Sequence, residues 1–126
     1  MATVKLADLE PRFLRYEKRP DPDPAYSGIV REFYPFVEKI EDAQGVEFLC
    51  PVCFKANGGP AGTHAVICWS SSRGIPDDVR PAPGRWRLVG TGLNDLSLME
   101  EPGKTRSVQV LGDCKAHFYV TNGEVT

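Results

Sequence analysis

The sequence predicts a mainly β protein, either a small antiparallel sandwich or an open barrel. About six to eight short segments are apolar or alternate between polar and apolar residues, as strands do. Twelve glycines and eleven prolines separate these segments and leave little room for long helices. Short strands joined by turns rich in Gly and Pro are typical of sandwiches and small barrels. A chain of 126 residues fits one such domain.

The first 28 residues are predicted to form an extended N-terminal arm. Pro20, Pro22 and Pro24 stand at alternate positions, and each one pushes the residue before it into an extended conformation. This Pro-rich linker either reaches a partner or lies on its own domain as a connector. Four apolar residues before it fit one face of a short helix or, in part, a strand: Leu6, Leu9, Phe13 and Leu14. We therefore divide the chain into an arm, 1–28, and a β domain, 29–126.

The strands of the β domain follow from runs of apolar or alternating residues. After the segment from residue 29, which is rich in β-branched and aromatic residues, strands are predicted at 45–50, 64–69, 85–89, 95–98, 107–110 and in the block 117–125. The segments 55–63 and 70–84, rich in Gly and Pro, are predicted loops. The dipeptide Asn122-Gly123 predicts a tight hairpin turn, because both central residues of a type I′ turn need a positive φ.

Two short pairs of residues predict a metal site. Cys50 and Cys53 form a C-x-x-C pair after a predicted strand, and Cys114 and His117 form a C-x-x-H pair before another. Three sulfurs and one nitrogen make a closed tetrahedral set that is typical of structural zinc. We therefore expect a zinc ion bound by Cys50, Cys53, Cys114 and His117, which would staple distant parts of the β domain together.

Other interpretations of these residues stay open. The four residues could be free thiols and a surface histidine, or Cys50 and Cys53 could be a redox pair. Redox pairs of this spacing usually open a helix in a β-α-β unit, whereas the residues after Cys53 resemble a loop. Cys68 lies in an apolar segment and is expected to be a buried thiol. His64 either replaces His117 as a ligand, donates a hydrogen bond near the metal, or is a plain residue at the start of a strand.

The motifs of several enzyme classes are missing. The sequence contains no Gly-rich phosphate-binding loop and no Gly-x-Ser-x-Gly turn. The zinc deaminase signature needs a His-x-Glu before its Pro-Cys-x-x-Cys, and no histidine precedes Cys50. A catalytic zinc normally has three protein ligands and one open position, which four good ligands would fill.

With these residues in view, the chain resembles a family of small uncharacterised zinc-binding proteins found in phages, prophages and bacterial operons, some of them beside ubiquitin-like conjugation genes. The resemblance covers about residues 29–125. It lies in four segments: Phe48-Leu49-Cys50-Pro51-Val52-Cys53, Trp86-Arg87-Leu88, Leu96-Ser97-Leu98 and Cys114-Lys115-Ala116-His117-Phe118-Tyr119-Val120. The loops 55–63 and 70–84 are longer than the family pattern. The resemblance implies a zinc-bound β protein and brings no established activity.

These observations favour a non-enzymatic, structural zinc-binding β domain that acts as an interaction or assembly module, and we expect a phage or prophage to encode it. We expect a protein partner, with virion assembly or self-assembly through residues 1–28. The alternative is an enzyme or accessory factor of a protein-modification pathway with a site near the zinc. A net charge of -2 argues against nucleic acid as a partner. The chain lacks a long apolar run and an apolar signal segment, so we expect it in the host cytoplasm or in a virion.

Overall fold

The structure is a computed structural model that describes residues 3–112 and 114–126. Over these residues the chain forms thirteen strands and one α-helix. In chain order they are β1 (Val4–Lys5), β2 (Arg12–Leu14), β3 (Glu17–Pro20), β4 (Val30–Phe33), β5 (Phe36–Val37), β6 (Gly45–Leu49), α1 (Pro51–Asn57), β7 (Ala65–Trp69), β8 (Trp86–Val89), β9 (Ser97–Glu100), β10 (Val108–Gln109), β11 (His117–Phe118), β12 (Val120–Thr121) and β13 (Glu124–Val125). Four single turns of 3-10 helix lie at Leu6–Leu9, Pro24–Tyr26, Ile40–Asp42 and Ser71–Arg73.

The strands form several small antiparallel sheets. The largest has four strands in the order β5-β2-β6-β7, and a second has three in the order β1-β13-β12. The pairs β3-β4, β8-β9 and β10-β11 are two-stranded. None of the sheets in the described part of the chain closes into a barrel. The mainly β prediction is confirmed, and the arrangement is compatible with a small sandwich.

One large apolar cluster joins these sheets. Leu6, Leu9 and Phe13 are almost fully buried in it, although they belong to the N-terminal segment. Phe48 on β6 meets Phe118 on β11 edge to face, with 5.9 Å between the ring centroids. Burying a side chain of this size contributes about 1.5–3 kcal/mol. The cluster therefore links the four-stranded sheet to the β10–β11 hairpin, whose described strands do not pair with those of the sheet.

A second, smaller cluster lies around Trp69 on β7. Its indole packs against Leu14, Ile75 and Val79, and it donates a hydrogen bond to the Arg80 carbonyl at 2.9 Å. Gly45 lies opposite Trp69 in the β6–β7 register. A Cβ at Gly45 would lie 2.5 Å from the indole, so this position accepts no larger residue without movement.

The N-terminal segment combines packed and exposed parts. Strand β1 pairs with β13, and β2 lies inside the four-stranded sheet. Strands β3 and β4 then form a hairpin whose tip carries the exposed side chains of Tyr26 and Ile29. The division of the chain at residue 28 stays a prediction. Within that segment, residues 4–14 contribute to the core and residues 20–28 lie around the hairpin tip.

Two turns show how local chemistry sets the chain direction. Asn122 and Gly123 have φ values of 49° and 75° and connect β12 to β13, as predicted. Between β8 and β9, the Asp95 carboxylate accepts hydrogen bonds from the Thr91 hydroxyl at 2.8 Å and from the Gly92 N–H at 2.9 Å. The Thr91 hydroxyl contributes most to lowering the pKa of Asp95, followed by backbone N–H groups.

Candidate metal centre

The C-x-x-C pair lies where strand β6 passes into helix α1. Cys50 is the residue before the helix and is fully buried, and Cys53 lies in the first helical turn. Pro51 is at the first helical position, where a missing N–H costs nothing. Gly58, with φ 70°, ends the helix. The prediction that the residues after Cys53 are a loop is therefore wrong as far as Asn57, because these two end signals define a short helix.

His64 is brought to the cysteines by the pairing of β6 with β7. The two strands run antiparallel, with Leu49 opposite Ala65. The next pair outward is therefore Cys50 and His64, and the Cys50 N–H donates to the His64 carbonyl at 2.9 Å. This register fixes the imidazole beside the buried thiol.

Cys114 comes from the turn between β10 and β11. The Val110 N–H donates to the Ala116 carbonyl at 2.8 Å and closes this hairpin around the turn. Lys115 has a positive φ of 48°, which reverses the chain just after Cys114. The prediction that Cys114 precedes a strand is confirmed, while the neighbouring residue 113 lies outside the described residues.

The four side chains form a compact donor set. Their ligand atoms, from Cys50, Cys53, His64 and Cys114, all lie within 4.8 Å of one another. The Sγ atoms of Cys50 and Cys114 are 3.9 Å apart, and Nε2 of His64 is 3.4 Å from Sγ of Cys114. A tetrahedral ion with metal–sulfur bonds of about 2.3 Å needs edges of roughly 3.5–3.8 Å. These distances fit a metal ion at the centre and are far too long for a disulfide.

The donors also influence one another's protonation. The Ala116 N–H, and after it His64, lower the pKa of Cys114 to about 7. Burial, and then hydrogen bonding with Cys114 and Cys50, raises the pKa of Cys53 to about 11. The hydrogen bond with Cys114 raises the pKa of His64. The site thus holds three thiols and an imidazole close together, which is a donor set that a cation stabilises in its deprotonated form.

The other nitrogen of His64 fixes the orientation of the ring. Nδ1 lies 3.2 Å from the Ala65 carbonyl oxygen, to which it can donate. With the proton on Nδ1, the neutral imidazole directs the lone pair of Nε2, 3.4 Å from Sγ of Cys114, toward the cysteines. Metal-binding histidines usually donate their second N–H in this way. The arrangement therefore matches a histidine that is set up as a ligand.

His117, which the sequence analysis gave as the fourth ligand, is not part of this group. It lies on β11 opposite Gln109, and its side chain is exposed beside the ring of Tyr119. Successive strand residues point to opposite sides, and the next residue, Phe118, points into the core. The imidazole of His117 therefore points outward. His64, the alternative ligand considered from the sequence, lies instead beside the three cysteines.

The remaining cysteine, Cys68, is fully buried on β7 and lies outside the donor set. Burial raises the pKa of its thiol. It belongs to the same apolar cluster as Phe48, which agrees with the expectation of a core thiol.

Comparisons with known proteins add nothing to this geometry. Neither protein-family models, nor curated proteins, nor solved structures give a match to this chain. Over the described residues, no helix has the length and apolar character that crossing a membrane requires.

Proposed function

We propose that the protein is a zinc-binding β domain in which the metal has a structural role and which acts as a protein interaction module. The observation that carries the proposal is the closed set of four donors from Cys50, Cys53, His64 and Cys114. Three thiols and one imidazole suit zinc better than the harder cations that prefer oxygen ligands. Four protein ligands also fill a tetrahedral site and leave no position for a reacting water.

The placement of the ligands supports a structural role. Cys50, Cys53 and His64 belong to one unit, the β6–β7 hairpin with helix α1 in its connection. Cys114 belongs to the turn of a different hairpin, β10–β11. A metal bound by all four would therefore cross-link two hairpins that share no backbone ladder, and its binding free energy would contribute to folding.

The test is the metal content and coordination of the purified full chain. Elemental analysis is expected to give one zinc per chain, and X-ray absorption is expected to give three sulfur ligands and one nitrogen ligand. A first shell with fewer protein ligands and a bound water would instead favour the alternative, an enzyme or accessory factor that acts at the metal. A folded protein that binds no metal would overturn the proposal.

Assembly through residues 1–28 remains a separate proposal and needs its own test. Deleting the whole segment would remove β1 and β2 and so disturb the core. Substitutions at the hairpin tip avoid this problem, because Tyr26 and Ile29 are exposed. Sedimentation should show self-association of the wild type that Tyr26→Ser with Ile29→Ser reduces. Equal association of both proteins would contradict a role for this tip in self-assembly.

A further inference from the structure

A groove next to the metal centre has the edge of a strand on two sides. Its volume is about 700 Å³. Two strand segments form walls of the groove: the start of β7, residues 64–67, and residues 107–111, which include β10. The loop 80–84, Trp86 and Thr105 complete the lining. Consecutive residues line both walls, whereas the face of a strand would contribute only alternate ones. The groove is therefore bordered by the backbone edges of β7 and β10.

The hydrogen bonds of β7 show which backbone groups face the groove. In an antiparallel ladder, every second residue bonds to the partner strand, and the residues between them direct their N–H and C=O to the other side. In β7 the even-numbered residues bond to β6, because at one end the His64 carbonyl accepts from the Cys50 N–H and at the other the Ser70 N–H donates to the carbonyl of residue 44. Ala65 and Ile67 therefore face away from β6. Strand β7 is the edge of its sheet, and no partner strand in the described chain bonds to these groups.

The same argument applies to β10. The Val110 N–H donates to Ala116, so residues 108 and 110 bond to β11. Gln109, between them, directs its N–H and C=O away from β11 and toward the open edge. Strand β7 leads away from the metal ligand His64, and β10 leads toward the metal ligand Cys114. The two edges therefore run in opposite directions across the groove.

The third wall is preorganised and poor in hydrogen-bond donors. Pro81 and Pro83 have no backbone N–H. The buried guanidinium of Arg85 holds this loop by donating to several carbonyls, among them Val79 at 2.8 Å and Pro81 at 2.8 Å. Arg80 is the one charged residue of the lining, and its side chain makes no ion pair within the described residues. The groove thus presents peptide groups of two strand edges that bond to no partner strand among the described residues, apolar side chains and one free positive charge.

We propose that this groove binds an extended peptide segment of a partner protein, which adds as a strand between β7 and β10 and places an acidic side chain near Arg80. This inference rests on the proposed function, since it names the partner of the interaction module. Binding by strand addition uses main-chain hydrogen bonds for affinity and side-chain pockets for specificity. An added strand runs antiparallel to one wall and parallel to the other, and joins the four-stranded sheet to the β10–β11 hairpin.

A peptide fits the groove better than a compact ligand because of the spacing of the free groups. Ala65 and Ile67 are two residues apart, so their N–H groups lie about 6–7 Å from each other along the edge. An extended peptide presents a carbonyl at the same interval on each side of its backbone. Its carboxylate would compensate the charge of Arg80, which a purely apolar ligand would leave unpaired.

The experiment uses the metal-loaded full chain and a display library of random short peptides. One selected peptide is synthesised, and amide exchange of the wild-type protein is followed by NMR with and without it. We expect the amides of Ala65, Ile67 and Gln109 to exchange about tenfold or more slowly when the peptide is bound. The amides of Val66 and Cys68, which already bond to β6, are internal controls and should change little.

Matched variants test the backbone bonds directly. Gln109→Pro removes the outward N–H and leaves the bonds to β11, whereas Gln109→Ala keeps that N–H. Proline is tolerated at such an edge position. We expect Gln109→Pro to bind the peptide about 3- to 10-fold more weakly than Gln109→Ala, which is the effect of one hydrogen bond. Arg80→Glu should weaken binding and should remove the preference for acidic peptides. Thermal melts of each variant check that it folds.

The outcomes separate this inference from the zinc proposal. Failure to select any peptide that protects Ala65, Ile67 and Gln109 would overturn the groove proposal, even if one zinc per chain is found. Equal binding of a peptide N-methylated at alternate residues would also overturn it. Protection that rises with protein concentration alone would identify a second copy as the occupant and refute the partner peptide. A folded, metal-free protein that still binds peptide at these amides would refute the proposed zinc site and support the proposed peptide-binding groove.

Discussion

Replacing one histidine at a time gives the sharpest test of the metal centre. Structural zinc contributes roughly 10–16 kcal/mol of apparent binding free energy, and a quarter of this, ~2.5–4 kcal/mol, is expected to be lost with one of four ligands. His64→Ala should therefore weaken zinc binding about 100- to 1,000-fold. His117→Ala is the matched control, since this exposed residue contacts Tyr119 and lies outside the donor set. It should change the free energy of unfolding by less than about 1 kcal/mol.

The assay is competition for zinc with a chromogenic chelator, combined with urea unfolding of both variants. Cys50→Ser should cause the largest loss of zinc affinity and of unfolding free energy, because it removes a fully buried ligand of the proposed site and also places a hydroxyl in the core. The total stability of a domain is about 5–15 kcal/mol, so loss of the zinc contribution should unfold much of it. The reasoning would be refuted if His117→Ala lost the metal while His64→Ala retained it.

Three further predictions concern the scaffold. Gly45→Ala should destabilise the protein by about 1–3 kcal/mol in urea, because a Cβ would lie 2.5 Å from Trp69, while Gly92→Ala has open space and should stay within about 0.5 kcal/mol. Asp95→Asn should lower the melting temperature near neutral pH. Because folding lowers the pKa of Asp95, its carboxylate stabilises the fold at pH values above the pKa that it has in the unfolded chain. The difference in melting temperature between wild type and variant should therefore shrink as the pH falls through the folded pKa, and a constant difference would contradict this. Cys68→Ala should cost about 1 kcal/mol and leave the zinc content unchanged, since this thiol is buried outside the metal site.

The strands that frame the site could be predicted from local residue patterns. The apolar segment before Cys50 and the segment 64–69 both form strands, and Asn122-Gly123 forms the expected turn. These features depend on alternation and on φ preferences, which neighbouring residues determine. The C-x-x-C pair and Cys114 could be found for the same reason, because ligand spacing within a turn is a local property.

The histidine of the site depends on a pairing that local patterns do not contain. His117 has the familiar spacing from Cys114, whereas His64 reaches the site through the register of β6 and β7. That register can nevertheless be inferred from the sequence. Two adjacent predicted strands that end at Cys50 and begin at His64 place these residues side by side if they form an antiparallel hairpin. The short helix α1 lies where a loop was predicted, although Pro51 at its first position and Gly58 after its end are local signals of a helix.

The groove offers a physical reason for a metal in a domain whose apolar core is already substantial. A chain of this length does not need a metal merely to bury enough surface. However, β10 and β11 pair over only two residues each, and a two-stranded hairpin is marginal by itself. A groove that accepts a strand also requires that its two walls share no backbone hydrogen bonds. A metal that joins Cys114 to His64 would fix the distance between the two walls at one end. In the protein without peptide, the walls would then neither pair with each other nor separate.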